Sequence, residues 1–146
     1  MKFGKAAERD IWSLLLGKKL GKGAARTVYE YAPDPRYVVK VESDRGSFQN
    51  VAELKVWQAV QGTEFERWFA PVQQISGGGI FLLMRRTEPA RAAEYPERLP
   101  AFFTDLKRPN FGMLDGKFVA HDYGTFPIVM LSRALTKATR KAEWWA

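Results

Sequence analysis

The chain has no cysteine, a single histidine and no long apolar run. Without thiols there is no disulfide framework and no thiolate metal site. A lone His121 argues against zinc. The apolar centre nearest the N-terminus, Ile11 to Leu16, falls far short of the about 20 residues that span a bilayer. Acidic residues precede it and no small-residue cleavage pattern follows, so it does not read as a signal peptide. A soluble cytoplasmic chain with no membrane partner is expected. Internal repeats and low-complexity linkers are absent as well.

What is present is enough for one domain. The 146 residues are 46% hydrophobic, which can fill a core at this length. The formal charge is +7, which attracts polyanions such as nucleotides, nucleic acid and acidic proteins. Part of the excess lies at the end, where Arg133, Lys137, Arg140 and Lys141 oppose only Glu143. That tail reads as a solvated helix face. No nucleic-acid motif accompanies the charge, and nucleic acid is not expected as a partner.

The hydrophobic pattern divides the chain into elements. Ala6 to Leu16 has the spacing of a short helix. Thr27 to Tyr31 and Tyr37 to Glu42 read as strands around the turn Pro33-Asp34-Pro35. Ser47 to Gln61 reads as a helix, with Ser47 as N-cap and Gly62 as stop. Two more strands, Val72 to Ile75 and Ile80 to Arg85, flank Gly77-Gly78-Gly79. A proline-punctuated link, Thr87 to Pro100, leads to a dense polar segment and a strand from Lys117 to Ala120. Ile128 to Trp145 has helical spacing. The order predicts an α+β fold rather than alternating βαβ units.

Four separated pieces carry chemistry. Gly21 and Gly23 lie before a strand that includes Val28, and glycines there let backbone N–H groups approach a phosphate. Taken alone, they are better accounted for by an ordinary hairpin turn. Lys40 sits within the strand Tyr37-Val38-Val39-Lys40-Val41. Alternation points Val39 and Val41 one way and Val38, Lys40 and Glu42 the other. A lysine there needs an anionic partner or a route to water, and an edge strand would supply the latter. Glu53 shares a helical stripe with Val56, Trp57 and Val60, which is costly unless the carboxylate is paired. Lys40 is its natural partner; the alternative is a boundary glutamate reaching solvent. The last piece is Asp105-Leu106-Lys107-Arg108-Pro109-Asn110, followed by Asp122-Tyr123-Gly124. Asp115-Gly116 and the strand after it can fold back and return Asn110 and Asp122 to one place. Their oxygens are hard ligands suited to magnesium, and Asp105 can take a hydroxyl proton. Singly, these aspartates would pass for turn residues.

In this order the four pieces resemble the protein kinase superfamily, including its compact atypical and phage-type members. The match runs from about Leu20 to Gly124. LGKGAARTV resembles the glycine-rich loop, with Gly21, Gly23 and Val28 matching and Arg26 where the third glycine usually stands. YVVKV resembles the strand of the phosphate-binding lysine. The resemblance therefore assigns Lys40 to the phosphates, Glu53 to its helix partner, and Val28 and Val38 to the adenine. FLLMRRTEP resembles the fifth strand and hinge, which puts Met84 at the back of the nucleotide pocket and the Arg85–Thr87 backbone on the adenine edge. TDLKRPN resembles the catalytic loop: Asp105 as base, Lys107 on the transferring phosphate, Asn110 on metal. HDYG resembles the segment whose aspartate, here Asp122, binds magnesium.

The implied architecture is one two-lobed domain over residues 1–146. Its N-lobe (about 1–86) has a five-stranded antiparallel sheet and one helix, its hinge lies at about 85–90, and a strongly reduced helical C-lobe (about 91–146) follows. Phe103-Thr104 replaces the usual His-Arg pair, so activation through a phosphorylated loop is not expected. No Ala-Pro-Glu segment follows Gly124, and the platform for a peptide substrate is expected to be missing. The implied activity is transfer of the γ-phosphate of ATP, with Mg2+, to a hydroxyl, most naturally of protein Ser or Thr. The other implied reading is an inactive kinase-like module that binds and regulates a protein, in a host cytoplasm if the source is a virus. Trp57, Trp68, Trp144 and Trp145 are candidates for a partner or homodimer face, or for core.

Overall fold

The computed structural model describes residues 4–43, 47–126 and 131–146. The fold is α+β, centred on one five-stranded antiparallel sheet. Its strands are β1 (Leu16–Lys22), β2 (Arg26–Tyr31), β3 (Tyr37–Glu42), β4 (Val72–Ile75) and β5 (Phe81–Arg85), in the spatial order β1-β2-β3-β5-β4. Helix α1 (Lys5–Ser13) precedes the sheet and α2 (Gln49–Val60) joins β3 to β4.

Alternation along β3 and β5 gives the sheet two buried faces. Val39, Phe81 and Leu83 point to one, where α1 lays Trp12 against Phe81 with ring centroids 5.4 Å apart. Val38, Leu82 and Met84 point to the other, against Val56, Trp57 and Val60 of α2. Lys40 and Glu42 share that second face, as the period of two requires. Central pairing is regular: Val28 opposes Lys40, Lys40 opposes Leu82, and Val38 opposes Met84.

α2 starts differently from expectation. Its cap is not Ser47. Phe48 adopts a left-handed conformation (φ 59°), and Glu42 reaches over from β3 instead. One Glu42 oxygen accepts from the Ser47 hydroxyl and from the Gln49 and Asn50 amides. A carboxylate at that position satisfies orphan N–H groups and complements the helix dipole. The helix stops at Gly62, whose φ of 80° suits glycine.

After β5, regular structure is sparse. β6 (Arg98–Pro100) pairs with β9 (Thr139–Lys141), and β7 (Phe111–Leu114) forms a hairpin with β8 (Lys117–Ala120). Between them α3 (Leu131–Ala134) has a single turn. The long helix expected over Ile128–Trp145 is thus absent from its described part, and Ile128 to Met130 lie outside the described residues. Of the basic tail's cations, Arg133 lies on α3, while Arg140 and Lys141 lie on the short strand β9. Its long-range partner β6 overrides the local helical spacing.

Aromatic rings hold this part together. Phe69 is 2% exposed and lies 5.0 Å from Tyr123 and 5.3 Å from Phe103 by ring centroids. Phe111 stacks on Phe118 at 5.3 Å, and Trp144 meets Phe111 edge-on at 5.0 Å. Such pairs add about 0.5–1.5 kcal/mol each beyond the area they bury. Trp57 is buried and Trp68 is half-buried against the same core. Trp145 is half exposed, with the Lys107 ammonium 5.7 Å from its ring.

Candidate functional site

The β1–β2 hairpin, β3, the segment after β5, and the turn before β7 enclose a cleft of about 890 Å³. Its volume is that of a small-molecule site. Gly21 and Gly23 line its roof, Val28 and Val38 one wall, and Met84 the back, while Lys40, Asp105, Lys107, Asn110 and Asp122 supply its polar groups. Of the eleven residues singled out in the sequence, ten line this one cleft. Glu53 is the exception and lies fully buried behind Lys40.

The glycine segment is indeed a hairpin tip. The Gly23 amide donates to the Arg26 carbonyl at 2.8 Å, closing the turn. A Cβ at Gly21 would meet nothing within 4 Å, so these glycines leave room over the cleft rather than relieve a clash.

Lys40 has the expected partner. Its ammonium donates to Glu53 Oε1 at 2.9 Å and Oε2 at 3.2 Å, and to the His121 carbonyl. Burial draws Lys40 below its ordinary range; Glu53 opposes that and nearby Arg26 adds to it. Burial by itself would push the Glu53 carboxyl up. The charges of Lys40 and Arg26, with their hydrogen bonds, outweigh it and hold the group at about 2.

Arg26 is the residue that sequence reading left without a role. It opens β2, is 7% exposed, and forks onto Glu53 at 2.7 and 3.0 Å. The same guanidinium reaches Asn50 Oδ1 at 3.0 Å and Asp122 Oδ1 at 3.0 Å. Burial disfavours its charge, but Glu53 and Asp122 more than compensate and raise its pKa. Asn50, fully buried, donates its amide to the carbonyls of Lys40, Gly79 and Ile80, which fixes it beneath the fork. Glu53 also accepts the Tyr123 amide at 2.8 Å. One buried carboxylate therefore ties β2, β3, α2 and the Asp122–Gly124 segment together. Gly124 permits the last approach, since a Cβ there would lie 2.9 Å from that of Gln49.

The loop before β7 is closed by its own bonds. Asn110 donates its side-chain amide to Asp105 Oδ2 at 3.1 Å. Its carbonyl accepts the amides of His121 and Asp122 at 2.9 and 3.2 Å, so the β7–β8 hairpin does return Asp122 beside Asn110. His121 links this loop to the segment after β5. Its Nε2 meets the Pro109 carbonyl at 2.7 Å and its Nδ1 the Thr87 hydroxyl at 2.6 Å. A carbonyl only accepts, so Nε2 carries the proton and Thr87 donates to Nδ1. Burial and the Lys40 charge lower the His121 pKa, which keeps the ring neutral.

Backbone bonds fix the segment after β5 as well. Glu88 and Met113 exchange amide–carbonyl bonds at 2.9 and 2.7 Å, and the Arg86 amide donates to the Arg36 carbonyl at 2.7 Å. Gly112 makes that approach possible, because a Cβ there would stand 2.7 Å from the Glu88 carbonyl oxygen.

Asp122 and Asn110 present hard oxygens, and the Asp122 side chain is 48% exposed toward the cleft. Magnesium takes one or two protein oxygens and completes its shell with water and phosphate, so this donor pair fits it. Among the described residues there is no cluster of three or more His, Cys, Asp or Glu placed to hold a metal by protein ligands alone. Lining cations (Lys22, Arg26, Lys40, Arg85, Arg86, Lys107, Arg108) outnumber anions (Glu88, Asp105, Asp122), so the cleft favours an anionic ligand. None of the helices is long and apolar enough to cross a membrane, among the described residues. No protein-family model and no curated protein matches the chain.

Proposed function

We propose that the protein is a compact, kinase-like phosphotransferase that binds Mg·ATP in the cleft and passes the γ-phosphate to a hydroxyl, most naturally of a protein Ser or Thr. In this reading the sheet with α2 is the nucleotide lobe, the segment from Arg85 to Ala90 is the hinge, and the ring-packed part is a reduced second lobe. The carrying observation is the convergence of the paired Lys40, the Asp105–Asn110 loop and Asp122 on one apolar-walled cleft. The hinge supports it too. Among the described residues the amides of Arg85, Arg86 and Glu88 have protein acceptors, while that of Thr87 has none and is left for a ligand such as an adenine edge.

Each side chain then has a defined task. Val28, Val38 and Met84 bury the base. Lys40, oriented by Glu53, neutralises the α- and β-phosphates. Asn110 and Asp122 would hold magnesium through their oxygens, and bound there it would supply positive charge to offset that of the phosphates. Asp105 orients the acceptor hydroxyl and takes its proton as that oxygen attacks the γ-phosphorus. The bond from that phosphorus to the β–γ bridging oxygen breaks and ADP departs. Lys107 neutralises the phosphoryl group in flight. Catalysis is chiefly positioning and electrostatic.

The test is transfer of labelled γ-phosphate to the protein itself and to generic Ser/Thr acceptors. Asp122→Ala and Asp105→Asn are each expected to lower the rate about a hundredfold or more. Transfer unchanged in Asp122→Ala defeats the proposal. A second reading, a kinase-like module that binds and regulates another protein, is favoured by one observation: Arg26 already occupies an oxygen of Asp122. Lys40→Ala and Asp105→Ala variants that keep the full biological effect would establish it.

A further inference from the structure

Four charges meet at the floor of the cleft: Lys40 and Arg26, Glu53 and Asp122. They cancel in pairs, so these four groups together carry no net charge. Asp122, the carboxylate that the phosphotransferase reading gives to magnesium, is bonded through Oδ1 to the Arg26 guanidinium at 3.0 Å. Arg26 cannot drift away from it, because its fork is fixed on Glu53 at 2.7 and 3.0 Å and on Asn50 at 3.0 Å. A divalent cation arriving alone would meet a compensated carboxylate and a fixed positive neighbour. A polyphosphate changes the balance by adding negative charge that both cations and the metal share.

We infer that Arg26 is a positioning residue that holds the place of the metal at Asp122, making divalent-cation binding conditional on a polyphosphate ligand. The inference rests on the phosphotransferase reading for the identity of that ligand. It does not rest on it for the competition between guanidinium and metal.

The probe is Mn2+ without nucleotide, followed by the electron-spin-resonance signal of the free ion. Arg26→Gln leaves one excess negative charge at the site and is expected to bind Mn2+ about tenfold to a hundredfold more tightly than wild type. Arg26→Lys keeps the charge and is expected to match wild type. Adding Asp122→Asn to Arg26→Gln is expected to cancel the gain. Equal Mn2+ binding by wild type and Arg26→Gln, or a gain that survives Asp122→Asn, overturns the inference.

If Arg26→Gln has no cooperative thermal transition, nitrogen-15 spectra of the arginine side chains in wild type decide. Mg2+ alone is expected to leave the Arg26 signals in place, and Mg2+ with ATP to move them. Movement by Mg2+ alone overturns the inference. If wild type binds no ATP while Arg26→Gln still gains Mn2+, the phosphotransferase reading falls and the competition stands.

Discussion

The sheet with α2 and the ring-packed remainder of the chain are stabilised by different means. In the first, β2, β3 and β5 pair in regular register beside a fully buried carboxylate that bonds two cations. In the second, strands are three or four residues long and aromatic rings fill the core. A buried ion network is directional and fails if one member is removed, whereas a ring cluster is held by area and shape. The comparison teaches where chemistry can be placed. Lys40 and Asp122 are oriented by the buried network of the first region, and Asp105 by the second region's own loop.

Substitutions can break that contrast. The largest effect is expected from Glu53→Ala, which leaves Lys40 and Arg26 buried without their shared counter-ion. Loss of one member of such a network costs about 3–5 kcal/mol, measurable by urea unfolding. Acid offers the same test without a mutation. Glu53 is held at about 2, below its ordinary 4.5, so its contribution is complete above pH 4.5 and is lost as pH falls toward 2. Wild-type stability is expected to drop through that window more steeply than that of Glu53→Ala.

Phe69→Ala is expected to cost about 3–4 kcal/mol by opening a cavity among the rings, with no comparable acid dependence of its own. If Phe69→Ala altered the acid profile as Glu53→Ala does, the two regions would not be distinct in the way described.

Gly112→Ala tests the seam between them. Its Cβ would press on the Glu88 carbonyl oxygen at 2.7 Å and on Thr87 Oγ1 at 2.8 Å. A cost of about 1–3 kcal/mol is expected. It should be accompanied by faster hydrogen exchange at the Glu88 and Met113 amides. Exchange unchanged at both would mean that the segment after β5 and the β7–β8 hairpin are not coupled through that contact.

The first region was the more legible in sequence. Tyr37–Glu42 emerges as a strand with the stated bounds, and period-two alternation puts Lys40 on the α2 side. Helical period correctly puts Glu53 on the stripe of Val56, Trp57 and Val60, all buried. β1 was not legible, since Leu16–Lys22 is rich in glycine and lysine and becomes a strand only by pairing with β2. The tail misled for the same reason. Its apolar spacing suits a helix, yet Thr139–Lys141 finds β6 about forty residues earlier. The role of Arg26 could not be read locally either, because its partners lie 27 and 96 positions away. Candidate site residues emerged because each motif is short and self-contained; what joins them is tertiary.

The most direct test of the central claim is isothermal calorimetry of Mg·ATP with the wild-type protein, Lys40→Ala and Asp122→Ala. Binding in the micromolar-to-millimolar range by wild type, lost in both variants, is the predicted result. Absence of heat from the wild type, or binding that both variants retain, would contradict a nucleotide site built on Lys40 and Asp122.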